Sequence, residues 1–261
     1  MKDGRIRLRR SGVYLIPNLL TTGNLFSGFY AVVAVLNANY VNAAIAILIA
    51  IIFDSLDGKW ARMTRTTSLF GVEYDSLADL VSFGVAPGLL IYSWALSGYG
   101  RLGWVAAFLF VVCGALRLAR YNVQTASSES RYFSGLPIPA AAAVIASLVL
   151  MDYHILRLGS EVKPLLIVAL IYVLAFLMVS TFRYRSFKDM RLWGRKPFRV
   201  LVSAVLLFIM LVAEPQIMLF ALFTVYAVSG VVERPLRWVF TALKPAAATG
   251  PSRAEEDHKN L

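Results

Sequence analysis

Apolar runs of about 17–20 residues recur along almost the whole chain, and a run of that length crosses the hydrocarbon core of a bilayer as a helix. They fall at 17–36, 41–61, 78–97, 103–121, 136–153, 164–182, 198–213 and 215–232. A closed β-barrel is the other architecture that satisfies every backbone polar group in lipid, but it needs alternating segments of about ten residues, and these runs are continuous. The expected fold is therefore all-α: a polytopic membrane protein of about eight transmembrane helices joined by short loops. Composition agrees, with 59% hydrophobic residues, 16% charged residues and a mean hydropathy of +0.67. The expected organisation is a basic N-terminal segment (1–16), a membrane-embedded domain (17–245) and a small, polar, disordered tail (246–261). The last two runs meet at Glu214-Pro215-Gln216, which reads as a tight hairpin.

The net charge of +11 is distributed unevenly. With eight spans and a cytosolic N-terminus, segments 1–16, 53–77, 117–135, 183–199 and 233–261 lie inside and hold 23 of the 26 Lys and Arg residues, leaving Arg101, Arg157 and Lys163 outside. This asymmetry follows the positive-inside rule and places both termini in the cytosol, with the basic flanks attracted to anionic lipid headgroups. The same placement argues against nucleic acid as a partner. The basic, aromatic run at 182–199 reads as a membrane-surface segment. In a Cys113→Ser background, a cysteine introduced at position 190 should react with a membrane-impermeant reagent only from the cytosolic side; labelling from outside alone would invert the topology.

Within this apolar chain, Asp54, Asp57, Glu73, Asp75 and Asp79 crowd into one short stretch. Asp54 and Asp57 are three residues apart and share a helix face with Ala61, while Gly71, Asp75 and Asp79 recur at intervals of four on another. Two antiparallel helices joined at the cytosolic surface would present two pairs of carboxylates at similar depth. Intramembrane acids are costly and mark functional sites, and like charges at short range demand cations. Oxygen-only ligands suit two divalent ions of the Mg²⁺ or Mn²⁺ kind. Gly58, Ala61 and Gly71 leave the helix surfaces beside the acids bare for close packing or for a bulky ligand. The single cysteine, Cys113, excludes an intramolecular disulfide, and His154 and His258 lie away from the acids.

The pattern Asp54-x-x-Asp57-Gly58-x-x-Ala61-Arg62, eight residues, Gly71-x-x-x-Asp75-x-x-x-Asp79 resembles the full signature of the CDP-alcohol phosphotransferase family. The stretches 17–29, 75–87 and 117–143 resemble its membrane-integral, serine-using branch in bacteria and archaea. The resemblance implies a six-helix core and a reaction in which L-serine displaces CMP from CDP-diacylglycerol, or from an ether-linked CDP-lipid in an archaeon. It implies Asp54, Asp57, Asp75 and Asp79 as ligands of the metal pair, with Asp79 also the base that takes the serine proton. It places Gly58, Ala61, Arg62 and Gly71 against the CDP moiety, and it makes a homodimer in the cytoplasmic membrane the expected assembly.

Asn18 and Thr21 are polar where the first span should be apolar, and they are expected to touch the CDP-lipid. Arg117, Arg120 and Asn122, at the cytosolic end of the fourth span, are candidates for holding the serine carboxylate or a lipid phosphate, a task suited to a guanidinium fork. Another acceptor, such as glycerol 3-phosphate, inositol or inositol phosphate, is the rival within the class. A cation transporter is the rival from outside it. A transporter would spread acids through several spans at mid-depth, whereas here they collect at one side.

Overall fold

The computed structural model describes residues 15–64, 68–126, 135–156, 163–182, 184, 202, 205, 209, 210 and 213–242. No strand occurs among them; the chain folds as a bundle of apolar helices. Helix α1 (Leu15–Leu36) ends in a turn that satisfies its last carbonyls: the Asn39 N–H donates to Ala34 O at 2.8 Å and the Ala38 N–H to Val35 O at 2.9 Å. Ala38 occupies the left-handed position of this motif, at φ 54°, where glycine is usual. Asn39 then caps α2 (Tyr40–Thr64), its Oδ1 accepting the Asn42 N–H at 3.3 Å. The two helices pack antiparallel along small residues, with Ala31, Ala34, Ala43, Ala44, Ala46 and Ala50 all buried.

Ser68 caps α3 (Leu69–Asp79), its Oγ accepting the Gly71 N–H at 3.0 Å. The helical path then widens into a π turn (Leu80–Val85), returns to α-helix in α4 (Ala86–Ile91), and ends in a second wide turn (Tyr92–Leu96) and a short tight one (Ser97–Tyr99). Pro87 lacks the N–H that would continue the regular ladder, which gives a local cause for the first wide turn. The chain reverses before α5 (Gly100–Ala126), and Gly100 supplies the positive φ of 51°. The return helix packs closely on the outgoing one, since a Cβ on Gly88 would stand 3.0 Å from Val111 and 3.4 Å from the Ala107 carbonyl. Leu69–Gln124 thus makes two passes, matching the expected third and fourth spans.

At the centre lies α6 (Ile138–Met151), buried on nearly every side, as its all-round apolar sequence requires. Its entry is bent, with Gly135 at φ 86° and Pro137 and Pro139 following. The Gly135 and Leu136 N–H groups donate to Phe182 O and Leu177 O, both at 2.9 Å, tying this entry to the end of α7 (Lys163–Val179). Helix α7 covers α5, and α8 (Pro215–Ala242) covers α6. Tyr184 locks α8 in place, its hydroxyl donating to Ala227 O at 2.9 Å beneath Gly230.

Three of these helical segments are long and apolar enough to cross a membrane, and the apolar stretches Ile138–His154, Leu165–Val179 and Pro215–Val231 are shorter. Together they form the expected polytopic membrane fold. Two differences concern boundaries. Helix α3 begins nine residues before the predicted third span, because the Ser68 cap starts the helix as soon as the chain has turned. The joint before α8 is one residue, Glu214, rather than three, since Pro215 is already helical. Most of the predicted 198–213 span, the 1–14 segment, the 185–199 run and the tail lie outside the described residues.

Candidate active site

Two helices bring the carboxylates together, and a third holds two of them in place. Asp54, Asp57 and Asp75 each offer an oxygen, and these oxygens lie within 4.8 Å of one another. The first two come from α2 and the third from α3, so the antiparallel crossing of these helices makes the cluster. The Asp75 Oδ1 is buried and has no hydrogen-bond partner. A buried carboxylate oxygen without a donor is expensive, and three carboxylates facing each other repel, unless a cation joins them. The donor set consists of carboxylate oxygens, which suits a hard divalent cation.

Asp79 lies beside this cluster, within electrostatic reach of all three acids. It is 8 % exposed, and its Oδ1 accepts a hydrogen bond of 2.9 Å from Asn24 Nδ2. Asp57, 4 % exposed, is also held from α1: Thr21 Oγ1 lies 2.9 Å from Asp57 Oδ2 and 3.0 Å from Pro17 O. A threonine has one proton to give, and the carboxylate is the stronger acceptor. Asn18 meets Gly71, where a Cβ would come within 3.6 Å of its Oδ1. Asn18, Thr21 and Asn24 thus form one polar stripe on α1, spaced at three residues and laid against the acids. Sequence reasoning found the first two and missed Asn24, although its spacing from Thr21 on an otherwise apolar helix was the available signal.

On the other side of the acids, the Arg62 guanidinium lies over Gly58, with Nη1 3.3 Å from where a Cβ would be. It is within electrostatic reach of Asp54 and Asp57. Ala61 is half-buried on the same helix. Arg117 of α5 is largely buried with its Nε unpaired, and it is within electrostatic reach of Asp79 and of Tyr226 on α8. The two neighbouring candidates point to other partners. Arg120 is exposed and donates to Val179 O at 3.2 Å, closing the end of α7. Asn122 donates to Ser76 Oγ at 3.0 Å and reaches Glu73 Oε2 at 3.5 Å, linking α5 to α3.

The chemistry available is a carboxylate cradle for divalent cations, a carboxylate beside it held by Asn24, and next to that carboxylate a largely buried guanidinium whose Nε is unpaired. Such a set serves phosphoryl-group chemistry, in which the charges on a phosphate and on its leaving group must be offset.

Comparison with known proteins agrees. The chain is 40% identical over 235 residues to the CDP-diacylglycerol–serine O-phosphatidyltransferase of Helicobacter pylori, covering 89% of this chain and 94% of that one. It is 39% identical over 171 residues to the archaetidylserine synthase of Methanothermobacter thermautotrophicus, covering 65% of this chain and 69% of that one. It is 35% identical over 173 residues to the CDP-diacylglycerol–serine O-phosphatidyltransferase of Bacillus subtilis, covering 66% of this chain and 91% of that one. The model of the CDP-alcohol phosphatidyltransferase family matches residues 14–232, a span that takes in every acid described above, and the chain belongs to that family.

Proposed function

We propose that this protein transfers the phosphatidyl group from CDP-diacylglycerol to the hydroxyl of L-serine, giving phosphatidylserine and CMP. The observation that carries the chemistry is the convergence of Asp54, Asp57 and Asp75 with Asp79 held separately beside them. Support for serine as acceptor comes from the relatives, and the match over 94% of the Helicobacter enzyme favours a diacylglycerol lipid over an ether lipid.

Two cations, Mg²⁺ or Mn²⁺, belong to this reading. Four carboxylates face two guanidiniums, Arg62 and Arg117, which leaves two negative charges; the diphosphate of the substrate brings more. Asp54, Asp57 and Asp75 would hold the ions, with Asp79 beside them. When bound, the ions supply Lewis-acid polarisation of the phosphoryl oxygens and offset the charge on departing CMP. Gly58 and Gly71 leave room for the nucleotide to approach the helices, and Asn18 borders that space. The serine oxygen forms its bond to the phosphorus that carries diacylglycerol as the bond from that phosphorus to CMP breaks. Asp79 accepts the hydroxyl proton. The active site and both termini are cytosolic, on the inner membrane of a prokaryote, and the protein works as a homodimer.

Arg117 is the favoured partner of the serine carboxylate, because it is largely buried, has an unpaired Nε and lies near Asp79, whereas Arg120 is occupied by a carbonyl. A charge-assisted bond in a partly dry site is worth about 1.5–3 kcal/mol, so Arg117→Ala should raise the KM for serine roughly tenfold to hundredfold. Arg120→Ala should change it by less than about twofold, a loss under 0.5 kcal/mol. An effect confined to the KM for CDP-diacylglycerol would assign Arg117 to the lipid phosphate instead.

The central test is CMP release by the purified protein from CDP-diacylglycerol with Mg²⁺ or Mn²⁺ and a panel of alcohols. Stimulation by serine supports the assignment. Stimulation by inositol or glycerol 3-phosphate alone refutes it.

A further inference from the structure

We infer that Asn24 is a positioning residue that fixes the carboxylate of Asp79 for proton abstraction, and that Gly28 and Ser82 in turn fix Asn24. The inference rests on Asp79 acting as the base.

Asn24 is 0 % exposed on a helix whose other face exposes Leu19, Phe26 and Phe29. Its Nδ2 donates to Asp79 Oδ1 at 2.9 Å, while its own Oδ1 is buried without a partner. A buried amide with half its capacity unused is a poor packing element, since an apolar side chain would fill the space without leaving an orphan acceptor. What the amide provides and an apolar residue lacks is one donor aimed at one oxygen of Asp79. The donor assignment is required chemically, because an ionised carboxylate only accepts.

The support around Asn24 is specific. The Asn24 backbone carbonyl accepts the Ser82 hydroxyl at 3.0 Å, so α1 and the wide turn after Asp79 are tied at the same level. Gly28 lets them meet, since a Cβ there would lie 2.6 Å from the Ser82 Cα. The wide turn starts immediately after Asp79, and Ser82 is within it. Asp79 is therefore restrained through its side chain by Asn24 and through its backbone by the Ser82 tie. With Oδ1 engaged, Oδ2 is the oxygen left for the acceptor hydroxyl. A base held in one orientation keeps its oxygen within hydrogen-bond reach of the proton it removes.

The test compares Asn24→Ala and Asn24→Asp with wild type in detergent–lipid micelles, measuring CMP release from CDP-diacylglycerol and serine. Binding of CDP with Mn²⁺ is followed separately by its shift of thermal unfolding. Asn24→Asp keeps the volume and replaces the donor by an acceptor, so it remains informative if Asn24→Ala does not fold. The expected result is a ten- to hundredfold loss of kcat in both variants. KM for CDP-diacylglycerol and the shift caused by CDP with Mn²⁺ should stay within about twofold, a difference below 0.5 kcal/mol. A wild-type kcat in Asn24→Asp, or a loss confined to KM or to CDP binding, would overturn the inference. The acceptor assignment is judged from wild type alone and the role of Asn24 from the variant-to-wild-type ratio on the same acceptor, so the two fail independently.

Discussion

Asp75→Asn should abolish CMP release and leave the protein folded. Its oxygen lies within 4.8 Å of those of Asp54 and Asp57, and no protein donor satisfies its Oδ1. The substitution therefore breaks no protein hydrogen bond at that atom and removes one of three mutually repelling charges. A neutral amide in its place is a weak ligand for a hard cation and leaves the site with a smaller charge to offset. Loss of one transition-state hydrogen bond costs about 10²–10³ in kcat, and loss of a ligand from a catalytic cation should cost at least about as much. The expected outcome is turnover reduced by roughly 10³-fold or more with either Mg²⁺ or Mn²⁺. The thermal unfolding midpoint measured without metal should equal or exceed that of wild type, because the repulsion is relieved. Near-normal turnover with either metal would remove Asp75 from the ligand set.

Gly28→Val should cripple the enzyme from a position with no contact to any acid. Gly28 is buried where α1 meets the wide turn, and any side chain there drives into the Ser82 backbone. Backbone has no rotamer to yield, so the helices must separate. Overpacking of this kind costs about 1–3 kcal/mol. The larger effect is geometric. Asn24 and Thr21 lie about one and two turns along α1 from Gly28 and hold Asp79 and Asp57 at 2.9 Å. A shift of about 1 Å in such positioning can cost on the order of 10²-fold in rate. Gly28→Val should thus lower the unfolding midpoint and reduce kcat at least about tenfold in the folded fraction, with Gly28→Ala showing a smaller change in the same direction. An unchanged midpoint and turnover in Gly28→Val would show that the contact between α1 and the turn is slack.

The sequence alone determined most of the architecture, for a simple physical reason. Lipid allows few ways to satisfy a backbone, so the length of an apolar run is nearly a statement of structure. The predicted spans from 17 to 182 correspond to helices α1 to α7, with α3 and α4 forming a single pass, and the predicted 215–232 span lies within α8. The carboxylates were legible too, because acids at intervals of three and four in an apolar helix have no cheap alternative explanation, and their spacing carries the family signature.

Only the tertiary structure decided which partners those residues have. Arg117 and Arg120 are three positions apart and equally basic in sequence, yet packing buries the first beside Asp79 and turns the second to the Val179 carbonyl. Asn122 was a candidate ligand-binding residue, and the α3–α5 contact gives it Ser76 and Glu73 as partners. Asn24 drew no attention in sequence because its partner Asp79 is 55 positions away, on another helix. The four aspartates carry the same functional group, and only the family resemblance set Asp79 apart from the rest. The arrangement comes from which helix each acid faces: α2 and α3 turn Asp54, Asp57 and Asp75 toward one another, while α1 holds Asp57 through Thr21 and Asp79 through Asn24. Spacing along one helix fixes which side chains share a face, but the neighbour opposite that face is set by helix packing, through contacts as local as Gly28 on Ser82.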